Sequence, residues 1–114
     1  MSNETDVVDA QIEAYRARDV AGFLSHYADD TSVVMFDGTA VFGTKEAMRE
    51  AYGKLFADSP DLRVAIAGRI TAGEYVIDEE HLSGFHFGDM PTDMTAVAVY
   101  RVVNGKIAKL MLLS

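Results

Sequence analysis

The sequence predicts an α+β fold: three N-terminal helices packed on one face of a curved antiparallel sheet of mixed strand order. Three observations carry this prediction. Apolar residues recur at helical spacing through the first third of the chain and again between residues 44 and 58. From Leu62 onward the apolar period falls from 3.6 to 2. Turn pairs then punctuate the alternating runs, Asn104-Gly105 being the strongest hairpin signal among them. With 114 residues and no repeat, linker or low-complexity stretch, the chain reads as a single domain spanning 1–114.

Val8, Ile12 and Tyr15 form the stripe of the first helix, with Asp9, Glu13 and Arg16 between them. Asp19 then stands where an N-cap belongs, its carboxylate able to accept from the orphan N–H groups of a short second helix. That helix carries Val20, Phe23, Leu24 and Tyr27 at i, i+3, i+4 and i+7, and Asp29-Asp30 ends it. Thr31-Ser32-Val33-Val34-Met35-Phe36 is β-rich and runs into the turn pair Asp37-Gly38, and Val41 and Phe42 extend the strand before Gly43. Thr44 caps a third helix, Glu46 favours its positive end, and Met48, Tyr52 and Phe56 make its stripe. Asp58-Ser59-Pro60 stops it, because proline lacks the donor and disfavours helix just before itself. Leu62 to Ile70, Tyr75 to Phe87, Met94 to Val103 and Ile107 to Leu113 follow as strands. Pro91 marks the loop from Gly88 to Asp93.

Composition narrows the function. A formal net charge of -8 argues against nucleic acid, which needs a Lys/Arg surplus, and against anionic membrane surfaces. No stretch reaches transmembrane length, and the polar start Met1-Ser2-Asn3-Glu4-Thr5-Asp6 is no secretion signal, so a cytoplasmic location is expected. The absence of cysteine excludes thiolate zinc sites, disulfides and cysteine nucleophiles. No metal and no cofactor are expected: no HExxH spacing, phosphate loop or nucleotide fingerprint is present. His81 and His86, five residues apart, fall on opposite faces of a regular strand.

Asp19-Val20-Ala21-Gly22-Phe23-Leu24 with Tyr27-Ala28-Asp29-Asp30, then Phe42-Gly43-Thr44-Lys45-Glu46-Ala47-Met48, then Tyr100 to Ile107, carry a resemblance over nearly the whole chain. In these stretches the sequence resembles the nuclear transport factor 2-like superfamily, above all its SnoaL-like and ketosteroid isomerase-like members with the cystatin-like fold. The resemblance implies a cone-shaped pocket between helices and sheet, with a dimer interface on the outer sheet face. It also implies where catalytic groups would stand. The isomerase base falls on Met35, its oxyanion tyrosine on Gln11 and its oxyanion acid on Ala98, close to which the SnoaL-type aspartate also lands. A thioether and a methyl group neither accept a substrate proton nor donate to an enolate, so the family chemistry is not expected from those residues. A short slip near Met35 would put Phe36 or Asp37 at the base position, which keeps Asp37 in reserve.

The strand at residues 75–87 decides which other polar groups face the pocket. An even-length hairpin loop near Ala72-Gly73 puts Glu79 and His81 on the apolar face with Val64 and Ile66, and diagonal Arg69–Asp78 and Arg63–Glu80 pairs on the other. An odd loop puts Asp78 and Glu80 inside instead. On the first register Glu79 and His81 become the acid/base candidates, since a buried carboxylate and imidazole shift each other's pKa. The alternative for the same pair is a hydrogen-bonded structural couple at the sheet rim. In the last strand, an unpaired Lys109 ammonium is costly to bury, so Leu110 and Leu112 are expected to point inward through a three-residue loop with a Gly bulge. Ligand-lining candidates are Tyr15, Phe23, Tyr27, Met35, Tyr52, Phe56, Ala98 and Tyr100, the hydroxyls of Tyr15 and Tyr100 orienting the ligand.

The function expected from the sequence is therefore a homodimeric protein whose pocket binds an apolar, cyclic small molecule. As an enzyme it would perform cofactor-free isomerisation, dehydration or cyclisation by proton transfer at His81 and Glu79. The alternative is a non-catalytic binding or assembly module working through the sheet face.

Overall fold

The computed structural model describes residues 3–113. Met1, Ser2 and Ser114 lie outside the described residues, and with them the opening of the polar start. Three helices, α1 (Asn3–Arg16), α2 (Val20–Ser25) and α3 (Lys45–Asp58), cover one face of a six-stranded sheet. The strands are β1 (Tyr27–Met35), β2 (Ala40–Phe42), β3 (Arg63–Ala72), β4 (Tyr75–Ser83), β5 (Met94–Val103) and β6 (Lys106–Leu113). Their order across the sheet is β2-β1-β6-β5-β4-β3. All neighbours are antiparallel except β1 and β6, so the sheet is mixed, and the helices and long strands fall where the period change places them.

Local signals account for the helix boundaries. The Asp19 carboxylate accepts from Gly22 N at 3.0 Å, and Thr44 Oγ1 accepts from Ala47 N at 3.1 Å, each satisfying an orphan donor of the helix it starts. One boundary differs from the sequence pattern. Tyr27, the i+7 member of the second stripe, opens β1 instead of closing α2. Its backbone pairs with Ile107 while its ring sits 5.1 Å from that of Phe23, so the side chain serves the core from a strand. Similarly β4 ends at Ser83. The run from Phe85 to Phe87 is loop, because Gly84 turns left-handed (φ 66°) hard against Asp61, where a Cβ would lie 2.3 Å from the carbonyl oxygen.

Bulges in β3 and β6 set which side chains of the neighbouring strands face the helices. The β3–β4 hairpin has a two-residue loop, Gly73-Glu74, with Ala72 opposite Tyr75 and Gly68 opposite Glu79. β3 then accommodates one extra residue, Ala67, so that Ile66 lies opposite Glu80 and Val64 opposite Leu82. One inserted residue exchanges the faces of everything beyond it. Along β4 the inward set is therefore Val76, Asp78, Glu80 and Leu82. Glu79 and His81, expected beside Val64 and Ile66, point outward with side chains 51% and 54% exposed. The loop is even-length, as the first register requires, and the bulge overrides it. Gly68 within a run of small residues is the local reason: Ala65, Ala67 and Gly68 offer little packing to hold a regular ladder. β6 repeats the device. Asn104 (φ 53°) and Gly105 (φ 76°) form a two-residue loop of the primed kind, and a bulge follows between the Arg101–Lys109 and Val102–Ile107 pairs. Leu110 and Leu112 consequently point inward as expected, but through a bulge in the strand and not a three-residue loop.

The inward face and the helices share one core, in which Val8, Phe23, Leu24, Tyr27, Met48 and Ile107 are almost wholly buried. The expected Arg69–Asp78 pair is present, yet on the inward side. Arg69 Nε and Nη2 donate to the two oxygens of Asp78 at 2.7 and 3.0 Å, and Asp78 is 0% exposed. Nη1 reaches Asp9 of α1 at 2.8 Å, tying the helix to the sheet. The Arg63–Glu80 pair expected beside it does not form: Arg63 lies opposite Ser83, and Glu80 turns into the interior.

Candidate functional site

Between the helices and the concave sheet lies a cavity of about 230 Å³. Each wall follows from the fold just described. α1 turns Gln11, Ile12 and Tyr15 toward it, α2 adds Phe23, and α3 adds Ala51, Tyr52 and Leu55. The sheet contributes Tyr27 and Met35 from β1, Val64 from β3, Glu80 and Leu82 from β4, Met94, Ala96 and Tyr100 from β5, and Leu110 and Leu112 from β6. β2 adds Val41 and Phe42, and the β4–β5 loop supplies Phe85, Phe87 and Met90. That loop is anchored at its start by buried Ser59, whose Oγ accepts from His86 N at 2.9 Å.

Of the ligand-lining residues expected from sequence, Tyr15, Phe23, Tyr27, Met35, Tyr52 and Tyr100 meet around this cavity. Phe56 and Ala98 do not border it. Phe56 packs behind Tyr15, their rings 5.2 Å apart and at right angles, in a second cluster with Leu55, Leu62 and Phe85. Ala98 is fully buried in the core opposite Asp78. Asp37 sits on the exposed turn after β1, where its carboxylate accepts from Thr39 N at 2.9 Å; that bond holds its pKa below the usual range. Glu79 and His81 bond each other at 3.1 Å on the outer face.

The cavity's polar wall centres instead on Glu80, one residue from each of them. Glu80 is 9% exposed, and Tyr100 Oη donates to its Oε2 at 2.8 Å. Tyr100 Oη in turn accepts from Gln11 Nε2 at 3.2 Å, and Gln11 Oε1 accepts from Tyr27 Oη at 3.1 Å. Four residues from β4, β5, α1 and β1 are thus joined in one buried chain, a placement no sequence spacing reveals. Burial raises the Glu80 carboxyl to about 7; Tyr100's hydrogen bond works against the rise, and the neighbouring Asp78 charge adds to it. Glu80 is therefore poised to exchange a proton at neutral pH. Burial pushes the phenols of Tyr15, Tyr27, Tyr52 and Tyr100 far above their ordinary range, so all four stay neutral donors. Tyr15 and Tyr52 donate no hydrogen bond among the described residues, which leaves their hydroxyls for a ligand. No group of three or more His, Asp or Glu among the described residues is arranged to hold a metal ion.

Two signals could have found Glu80. One was Gly68, the glycine inside a strand that marks the bulge; the other was Gln11, a lone amide on the apolar face of α1, which needs buried polar partners.

Comparison with known proteins places this geometry in context. The family model described as a SnoaL-like domain matches residues 8–110. Among curated proteins none matches the sequence. An uncharacterized cystatin-fold protein from Novosphingobium aromaticivorans is 28% identical; the match covers 100% of this chain and 99% of that one, with a TM-score of 0.87. The Δ5-3-ketosteroid isomerase from a Mycobacterium species is 22% identical over 100% of this chain and 94% of its own, with a TM-score of 0.80. A computationally designed 17-OHP binder is 21% identical over 100% and 92%, with a TM-score of 0.81. The last two likenesses are likenesses of fold.

Proposed function

The chain belongs to the SnoaL-like domain family, and from that premise we propose that it binds a largely apolar small molecule in the cavity and exchanges a proton with it through Glu80. The observation that carries this reading is a buried carboxyl, raised to about 7, at the end of a hydrogen-bonded chain in an otherwise apolar wall. That the same fold carries a ketosteroid isomerase and a designed 17-OHP binder supports a small-molecule role. The reaction class is cofactor-free proton transfer, as in isomerisation, dehydration or cyclisation. Within it Glu80 takes the acid/base role that the sequence pattern suggested for Glu79 and His81, and Tyr15 and Tyr52 orient the ligand.

Binding is tested with N-phenyl-1-naphthylamine, a neutral dye that brightens in apolar surroundings. The wild-type protein should take up the dye with saturation. Ala96→Phe, which fills the cavity from β5, should abolish uptake while circular dichroism shows an unchanged fold. Equal uptake by the folded variant would remove the cavity as the binding site.

The outer sheet face supports a further part of this reading, self-association. Ile77, Val97, Val99, Met111 and Leu113 lie together there, and Ile70, beside them, is 65% exposed. Sedimentation velocity should find a dimer, and Val97→Glu with Met111→Glu should convert it to a monomer. A wild-type monomer at 100 μM, roughly the millimolar-to-micromolar border of weak association, would exclude the dimer.

A further inference from the structure

The polar and aromatic groups lining the cavity are mostly electron-rich and sit among aliphatic side chains such as Ile12, Val64, Leu82 and Leu110. Among the described residues Glu80 is the only charged one lining it, and no Lys, Arg or His borders it. Eight aromatic residues line it, Tyr15, Phe23, Tyr52 and Phe85 among them, together with the methionines Met35, Met90 and Met94. Arg69, whose charge favours the Glu80 anion, is committed to Asp78 and Asp9.

The direction of the hydrogen bonds adds a second constraint. Tyr27 donates to Gln11, Gln11 to Tyr100 and Tyr100 to Glu80 Oε2, so each dipole in the chain points its positive end toward the carboxylate. Such a chain polarises cooperatively in favour of an anion at its end. Burial opposes that anion, and what the wall lacks is a cation to complete it. Among the described residues Glu80 Oε1 accepts no hydrogen bond, so one carboxylate oxygen is left for the ligand.

We propose that the cavity selects a lipophilic ammonium: a compact apolar body with one cationic nitrogen, seated between Glu80 Oε1 and the rings of Tyr15 and Tyr52. This rests on the cavity-binding reading above and adds the ligand's charge to it. The carboxylate supplies the ion pair, and the surrounding rings supply cation–π attraction in a desolvated site. An anionic ligand finds no positive group. A neutral acceptor would require Glu80 to be protonated, the form the hydrogen-bond chain works against. The chain's net charge of -8 also draws cations toward the protein. At about 230 Å³ the cavity falls just below the range of drug-sized pockets, which favours a compact ligand.

The test compares benzyltrimethylammonium, whose charge does not titrate, with neopentylbenzene, its neutral isostere, by isothermal titration calorimetry and thermal shift. The groups facing Glu80 are Tyr100 on β5, Asp78 held by Arg69 on β3 with Asp9 of α1, and the phenols of Tyr15, Tyr27 and Tyr52. The phenols stay neutral throughout the range used. At pH 8 the ammonium should bind about tenfold or more tightly than the isostere. Its affinity should fall about tenfold or more between pH 8 and pH 5 as Glu80 takes up a proton, while that of the isostere stays flat. Glu80→Gln should erase both the preference and the pH dependence, and the wild-type pH profile stands as evidence even where that variant folds poorly. Equal or tighter binding of neopentylbenzene at pH 8 would overturn the ammonium proposal and leave the cavity reading standing. Failure of both compounds and of N-phenyl-1-naphthylamine to bind would overturn both.

Discussion

Replacing Arg69 with methionine should destabilise the protein by about 3–5 kcal/mol, because it leaves the Asp78 carboxylate buried without its partner. Asp78 is 0% exposed and takes both its charge-assisted bonds from the one guanidinium, whose fork matches the carboxylate's geometry. The second ion pair of Arg69, to the exposed Asp9, contributes little by comparison. The cost arises almost wholly from the stranded charge, so the double variant Arg69→Met with Asp78→Leu should recover most of the lost stability. Urea unfolding of the wild type, the single and the double variant measures both effects. A loss below about 1 kcal/mol in the single variant would mean that water or another donor reaches Asp78.

The second large effect is a pH-dependent gain in stability from Glu80→Gln. The folded-state pKa of Glu80 stands at about 7, above its ordinary 4.5, so the folded protein holds this proton more tightly than the unfolded chain does. The sign follows: the stabilisation is complete below about pH 4.5 and drains away as pH rises through 7. At 1.36 kcal/mol per unit the whole change is roughly 3 kcal/mol. Glutamine keeps the acceptor for Tyr100 and does not titrate. Glu80→Gln should therefore match the wild type near pH 4.5 and exceed it by about 3 kcal/mol at pH 8. Unfolding curves at the two pH values cancel every other titrating group, and a difference that does not change with pH would refute the buried, proton-holding carboxyl. A residue that destabilises its own fold at neutral pH is what a site held for function looks like. For any substrate found, the same variant should lower kcat/KM by about 10²- to 10⁴-fold.

How much of the site was legible follows from the same residues. Tyr15, Phe23, Tyr27, Tyr52 and Tyr100 could be placed at the cavity because each lies on an apolar stripe or an inward strand position, whichever loop joins the elements. Phe56 belongs to the same stripe as Tyr52 and still misses the cavity. Helical spacing shows which face is buried, but not which residue on that face another ring will cover. Glu80 was harder to find. Its neighbours Glu79 and His81 carry the same kind of chemistry, and only the face parity of β4 against β3 separates them.

From the sequence alone came the α+β class, the three helices with their Asp19 and Thr44 caps, the hairpin at Asn104-Gly105 and the family resemblance. These depend on local propensity and on periods of 3.6 and 2, which are written into neighbouring residues. The tertiary structure decided which carboxylate enters the cavity. A single inserted residue, Ala67, reverses the faces beyond it, and Ala108 does the same for β6. A bulge has little local signature beyond small residues and a glycine, because its energy is settled by the packing of both sheet faces at once. The chain from Tyr27 through Gln11 and Tyr100 to Glu80 has the same character. It joins residues up to 89 positions apart, and no pattern along the chain encodes a distance that only the folded core imposes.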